Sequence, residues 1–222
     1  MMKRVFVLGD SISIHYGPHL ERYLLGFMHY SRKEGEDKAV VQLDQPLVAN
    51  ANAGDSSMCL EYLQQRLGLE GSGSTEITGN LQQADFILFN AGLHDIKTRP
   101  GTNNTQVPVD EYERNLIHII QLIRRALPNA ELIWIRTTPI DETLHNTRQK
   151  NFHRHDKDLM LYNETADRVM RQFHVRQIDL YQFTHNIGPS KAIFCDHVHF
   201  HSHVREKQAA FIAGWLCANT TK

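Results

Sequence analysis

With 222 residues, 41% of them apolar and 22% charged, the chain has the length and balance of one globular domain with a single sizeable core. A formal net charge of -1 leaves no basic field for nucleic acid, and the longest apolar run near the C-terminus, residues 209–218, is too short to span a bilayer. The three cysteines, Cys59, Cys195 and Cys217, are scattered and odd in number, which excludes a disulfide framework and a zinc pattern and fits reduced thiols.

In chain order, Val5-Phe6-Val7-Leu8 is a short apolar run rich in β-branched and aromatic residues, the pattern of a buried strand. Lys3 and Arg4 precede it, but the run stops at Gly9-Asp10, too soon for the apolar stretch of a signal peptide, so a cytoplasmic protein is expected. Gly9 gives the following turn its backbone freedom. Ser11 then stands at the carboxyl end of a buried strand, where open α/β sheets place their ligands. Asp10 and Ser11 are both good helix caps, so the turn alone allows a structural reading beside a catalytic one. The spacing of Leu20, Tyr23, Leu24, Phe27 and Met28 predicts a first helix over residues 15–30. Residues 32–38 read as a charged turn, and either 39–43 or 47–50 as the second strand.

Residues 50–57 are small and polar, contain Gly54, and lead into a helix over 58–67. Close backbone approach at Gly54 and amides at a helix start make an anion-friendly corner; an ordinary loop ending in serine caps is the alternative. Residues 70–80 read as a surface loop. Residues 84–90 form a second buried strand, ending in Ala91-Gly92-Leu93-His94-Asp95. The loop 97–108 is long enough to border a site. Residues 109–127 form an amphipathic helix with Leu116, Ile119, Ile120 and Ile123 on one face. A third buried strand covers 131–138 and stops at Pro139. Residues 140–155 are polar and irregular, 156–174 helical, 175–180 a short strand and 181–194 a loop. The segment Cys195-Asp196-His197-Val198-His199-Phe200 precedes a last helix over 204–217. This alternation predicts one domain over residues 1–222, with a mostly parallel sheet of about five strands and helices on both faces.

The polar residues at the strand ends suggest one chemistry. A serine hydrolase needs a hydroxyl, a histidine base, a carboxylate to hold that histidine, and donors for the oxyanion. Ser11 offers the hydroxyl, and one short turn delivers both Asp196 and His199. Gly54 and His94 sit in strand-end loops suited to oxyanion donors. In a 2-1-3-4-5 strand order, Ser11 and His94 flank the switch point of the sheet.

On these residues the chain resembles the SGNH (GDSL-type) hydrolases. The family's first block is matched by Gly9-Asp10-Ser11-Ile12, the glycine of its second by Gly54, its third by Gly92-Leu93-His94-Asp95, and its fifth by Asp196-His197-Val198-His199. The strand end Thr137-Thr138-Pro139 is also similar. The resemblance implies a three-layer α/β/α sandwich with flavodoxin-like order 2-1-3-4-5. It implies hydrolysis of an ester or thioester through an acyl group on Ser11, with His199 as base and Asp196 as its orienting carboxylate. The family's oxyanion hole maps to the amides of Ser11 and Gly54 and the side chain at position 94. That position carries His94 in place of the family's asparagine, and a neutral imidazole keeps one N–H to donate.

The expected partner is a small-molecule ester with a short acyl or acetyl group, such as an acetylated carbohydrate, because no large apolar loop adjoins the motifs. No cofactor or metal is expected. Lys97, Arg99 and Arg136 near strand ends raise an anionic substrate, although charges at loop mouths are usually solvated. Three rival readings stand beside the hydrolase. His197, His199, His201 and His203 alternate and His153, His155 and Asp156 cluster, which suggests a metal-binding hydrolase. A non-catalytic protein could keep the same fold. Cys195 could be the nucleophile, though a small buried cysteine is the plainer account of it. His197 reads as an exposed neighbour of the base.

Overall fold

The computed structural model describes residues 2–33, 51–68 and 79–220. At its centre lies a five-stranded sheet made of β1 (Lys3–Leu8), β2 (Met28–Arg32), β3 (Phe86–Phe89), β4 (Glu131–Ile135) and β5 (Arg176–Ile178), in the order β2-β1-β3-β4-β5. Every pairing is parallel, so all five strands point their carboxyl ends to one edge. Parallel strands covered on both faces must be apolar throughout. Val5, Phe6, Val7 and Leu8 of β1 and all four residues of β3 are buried accordingly.

Two helical layers cover the sheet. On one side α1 (Ser11–Leu24) packs on α9 (Ser202–Thr220), which also receives α7 (Leu180–His185). On the other, α4 (Val109–Ala126) packs between α2 (Ser56–Leu67) and α6 (Asp156–Gln172). The stripe Leu116, Ile119, Ile120 and Ile123 of α4 is fully buried, as its spacing requires. The expected three-layer sandwich and strand order are therefore present.

Several expected boundaries change. The proposed strands at 39–43 and 47–50 lie outside the described residues, as does most of the loop at 70–80, whose last two residues open the short α3 (Gly79–Gln82). Among the described residues the strand that follows α1 is β2, which begins inside the stretch read as helix and runs to the start of the expected charged turn. Phe27 and Met28 continue the apolar spacing of α1, but the helix has already ended: Leu25 is extended and Gly26 adopts φ +78°. At its other end α1 begins at Ser11, four residues before the expected start, because the side chain of Asp10 caps it and accepts from the amide of Ile12 at 2.9 Å. The irregular stretch 140–155 contains α5 (Glu142–Arg148), capped by Asp141 through the amide of Leu144 at 2.9 Å. The loop 181–194 holds α7, capped by Asp179, and the single turn α8 (Ser190–Ile193). Gly9 is needed for proximity and not for an unusual φ: a Cβ there would lie 3.0 Å from Ser13 Oγ.

Candidate active site

Ser11 is the first residue of α1 and its capping role falls to Asp10, so the serine side chain is free to face the sheet edge. Its Oγ lies 2.9 Å from His199 Nε2, and His199 Nδ1 lies 2.7 Å from Asp196 Oδ2. The three residues predicted to act together thus form one hydrogen-bonded chain. Ser11 is 4% and His199 7% exposed, so the contact is nearly closed to solvent.

The loop before α9 is built to hold that chain. Asp196 Oδ1 accepts from the amides of Val198 and His199 at 2.7 and 2.6 Å, which leaves Oδ2 for the imidazole. The turn is closed by a bridge between Phe194 and Phe200 and by the amide of Cys195 donating to the carbonyl of His199 at 2.9 Å. Burial works against the charge on Asp196. The hydrogen bond and charge of His199 and the two amides outweigh it and hold the carboxyl well below its usual range. The aspartate is therefore an anion when it orients the ring. His15, one turn along α1 from Ser11, packs its ring 4.8 Å from that of His199; burial first, then the nearby His199, lowers it to about 4.

Of the other two predicted positions, His94 arrives from the end of the neighbouring strand β3 and Gly54 from the loop before α2. The amide of Asn90 donates to the carbonyl of Leu8 at 3.0 Å, which extends the β1–β3 pairing into the loops bearing Ser11 and His94. The amide of Ala53 donates to the carbonyl of Gly9 at 3.1 Å and brings in the Gly54 loop. Gly54 has φ +71°, and its amide donates to Asn52 Oδ1 at 2.9 Å, so the expected oxyanion donor has an acceptor within the protein. As N1 of α1, Ser11 has an amide with no intrahelical acceptor. His94 is 2% exposed and its Nδ1 makes no hydrogen bond in the protein. Burial, and after it Lys97, Arg154 and His199, hold its ring well below the usual histidine range, so it is a neutral imidazole.

The turn after β3 depends on Gly92. Its φ is +151°, and a Cβ would fall 2.5 Å from Thr137 Oγ1. Thr137 in turn donates from Oγ1 to the carbonyl of Ala91 at 3.1 Å, its amide donates to Asn163 Oδ1 at 3.1 Å, and its carbonyl accepts from Asn163 Nδ2 at 3.0 Å. Asp95 is fully buried, with Oδ1 accepting the amide of Ser56 at 2.9 Å and Oδ2 making no hydrogen bond. Burial pushes its carboxyl up to about 7, against the hydrogen bonds from Ser56.

A pH prediction follows from that shift. Unfolded, Asp95 titrates near 3.8, so the folded state binds the extra proton between 3.8 and about 7. The stabilisation from that proton is complete below 3.8 and is lost as pH rises to about 7. Asp95→Asn should not titrate, and its side-chain carbonyl can still accept from Ser56. Thermal melts should show the Tm of Asp95→Asn gaining on the wild type from pH 4 to 7 and running parallel above. A difference that stayed constant across that range would contradict the assignment.

The remaining candidates are dispersed. His197 is half-buried and not exposed as expected: its Nδ1 lies 2.7 Å from Nδ1 of the buried His145, so one ring donates and the other accepts. His201 and His203 stack at 5.8 Å, His153 and His155 are 6.2 Å apart, and His155 Nδ1 meets Glu142 at 2.9 Å. Among the described residues no three His, Cys, Asp or Glu side chains are gathered as metal ligands. Cys195 is exposed, contrary to the expected burial, and its Sγ faces the carbonyl of His199 and Arg205. Arg99 is exposed and Arg136 pairs with Asp167 and Asp179 at 3.1 and 3.5 Å. Lys97 is buried, with its ammonium 4.6 Å from the Phe152 ring. Sequence reasoning missed Asn52, Asn163 and Arg154, whose roles lie in contacts and not in local pattern.

Comparison with known proteins points one way. The model of the GDSL-like lipase/acylhydrolase family matches residues 7–203. The lipase/acylhydrolase from Enterococcus faecalis has a similar structure, with a TM-score of 0.67 at 15% identity over 98% of this chain and 96% of that one. A member of the lipolytic protein G-D-S-L family from Veillonella parvula gives 0.60 at 15% identity, over 99% of both chains. An α/β hydrolase enzyme from the metagenome of Lake Arreo gives 0.61 at 14% identity, over 97% of this chain and 94% of that one. The comparison with curated proteins returns no match.

Proposed function

The chain belongs to the GDSL-like lipase/acylhydrolase family, and from that premise we propose that it is a serine ester hydrolase working through an acyl-enzyme on Ser11. The observation that carries the reading is the hydrogen-bonded chain from Ser11 Oγ through His199 to Asp196. His199 Nε2 takes the proton of Ser11 as Oγ attacks the ester carbonyl. Asp196 keeps the other ring nitrogen protonated and offsets the imidazolium that forms. His199 then returns the proton to the leaving alcohol, and a water molecule repeats the cycle on the acyl-enzyme.

The developing oxyanion is assigned to the amide of Ser11, the side chain of His94 and the amide of Gly54. In the Nδ1–H tautomer, His94 presents its donor on the ring atom that has no protein partner. Gly54 contributes by sharing its amide between Asn52 and the oxyanion. The substrate class is a small ester with a short acyl group, an acetylated carbohydrate being the preferred candidate. Of the large apolar side chains exposed among the described residues, Met2 lies just before β1, Tyr23 and Leu25 lie at and just past the far end of α1, and Leu161 lies on α6. None lies beside Ser11 to hold a long acyl chain. No described helix is long and apolar enough to cross a membrane.

The test is hydrolysis of p-nitrophenyl esters of graded acyl length and of acetylated sugars, with and without a chelator. Short esters should be turned over best and chelation should change nothing; activity abolished by chelation would favour a metal-dependent hydrolase. On the best ester, His94→Ala should lower kcat about 100- to 1,000-fold with little change in KM, the cost of losing one oxyanion donor. His94→Asn should recover much of that loss. Full activity in His94→Ala would mean that the backbone donors suffice.

A further inference from the structure

Arg154 is among the largest side chains of the interior, at 1% exposure, and it stands outside the hydrogen-bonded chain of Ser11, His199 and Asp196. It lies between α5 and α6, distant in sequence from every motif. Its backbone is held from both sides by one side chain of α5: its amide donates to Asn146 Oδ1 at 3.0 Å, and its carbonyl accepts from Asn146 Nδ2 at 2.9 Å. The residue before it, His153, exchanges two backbone hydrogen bonds with Thr98, at 2.7 and 2.9 Å. From this anchor the side chain reaches the turn after β3, where Nε donates to the carbonyl of Leu93 at 2.6 Å. The guanidinium also packs 5.0 Å from the Phe152 ring.

Burying a guanidinium is costly, and an apolar side chain of similar volume would fill the space with less penalty. The carbonyl it grips belongs to the same peptide as the amide of His94. Fixing that peptide plane fixes the direction in which the imidazole leaves the backbone. The position of an oxyanion donor matters steeply, since an error of about 1 Å costs roughly 100-fold in rate. The charge matters too. The charged and titratable groups acting on the His94 ring are Lys97 on its own turn, His199 on the loop before α9, and Arg154. During the reaction His199 becomes a cation, and a second cation on His94 would oppose it.

We propose that Arg154 is the positioning residue of the oxyanion site: it ties the Leu93–His94 peptide to the segment before α6, and its charge adds to that of Lys97 at the His94 ring. This rests on the assignment of His94 as a donor. It accounts for a buried arginine beside a strand-end turn.

The experiment combines Arg154→Gln, which removes the charge, and Arg154→Lys, which keeps the charge and loses the Nε contact. Each is made in the wild type and in His94→Ala. In the wild-type background both should lower kcat by about 10- to 100-fold with KM within twofold, the loss expected of a misplaced donor. In the His94→Ala background either should cost less than about threefold more, because coupled sites are non-additive. Separately, the His94 ring is titrated by NMR. Its titration should move to higher pH in Arg154→Gln and stay in place in Arg154→Lys. Equal kcat losses with and without His94, or a ring titration unmoved in Arg154→Gln, would overturn the proposal. If Arg154→Gln does not fold, Arg154→Lys still decides the positioning role through its dependence on His94. Full activity in His94→Ala would instead reject the donor assignment, while the ring titration still reports whether Arg154 acts on His94.

Discussion

Ser11→Ala should remove nearly all turnover and leave the fold intact. The hydroxyl bonds to His199 Nε2, whereas the start of α1 is held by Asp10 through the amide of Ile12. Removing Oγ therefore costs the helix nothing at its cap, and Tm should shift by no more than a few degrees, the ordinary effect of losing one hydrogen bond. Catalysis loses its nucleophile, and the remaining members of such a unit cannot act alone, so kcat should fall by about 10⁶. A residual rate above that of water should survive, because the backbone donor at position 11 and the His94 ring remain. A fluorophosphonate probe should label the wild type at Ser11 and leave Ser11→Ala unlabelled. Covalent labelling of the alanine variant, or its full activity, would place the nucleophile elsewhere.

Asp196→Asn should cost about 10⁴-fold in kcat, the penalty for holding a catalytic histidine in the wrong tautomer. An asparagine can still accept from the amides of Val198 and His199 through its carbonyl oxygen, so the turn keeps its shape. What faces His199 Nδ1 is then an amide N–H, which drives the ring to carry its proton on Nε2, where it has to accept one. Stability has its own pH signature. Because the folded carboxyl lies below the unfolded value of 3.8, its contribution is present above that value and is lost as pH falls through the folded one. The stability gap between the wild type and Asp196→Asn should therefore close below about pH 4, and it should be small, since the Asp196 side chain is 37% exposed and screened. His197→Ala is the control. It strips a partner from the buried Nδ1 of His145 and should lower Tm, with kcat kept within a few-fold. If His197→Ala cost more in kcat than Asp196→Asn, the assignment of the orienting carboxylate would be wrong.

The parts of this molecule that could be read from the chain are those governed by local pattern. Val5-Phe6-Val7-Leu8 and the run around Phe86–Phe89 are buried on both faces and leave no polar alternation to mislead, and both end in glycine-bearing turns. Asp196 and His199 are three residues apart, so one turn couples them whatever the rest does. The failures have physical causes as well. Phe27 and Met28 keep the helical spacing past the end of α1, and only the left-handed Gly26 marks the stop. Asp10 and Ser11 are equivalent as caps until the geometry shows which one bonds the Ile12 amide. Arg154 sits in a stretch that reads as polar and irregular, and its burial comes from tertiary contacts with Leu93 and Asn146. The Gly54 turn is legible as a source of an oxyanion donor, but the acceptor two residues earlier, Asn52, carries no local signal.

The pairing of α1 with α9 has a consequence for how this protein comes to work. Ser11 and His199 are 188 residues apart in the chain, and the dyad arrives on the turn that immediately precedes α9. The early strands and α1 can gather while the nucleophile still has no base. Contacts of such long sequence separation form late and slowly, since the closure of the intervening chain has to be met first. Hydrolase activity should thus return during refolding with the slowest phase, after the sheet's circular dichroism signal has recovered. On the proposed mechanism turnover should begin only once the last helix docks, so the return of activity would report the completion of folding.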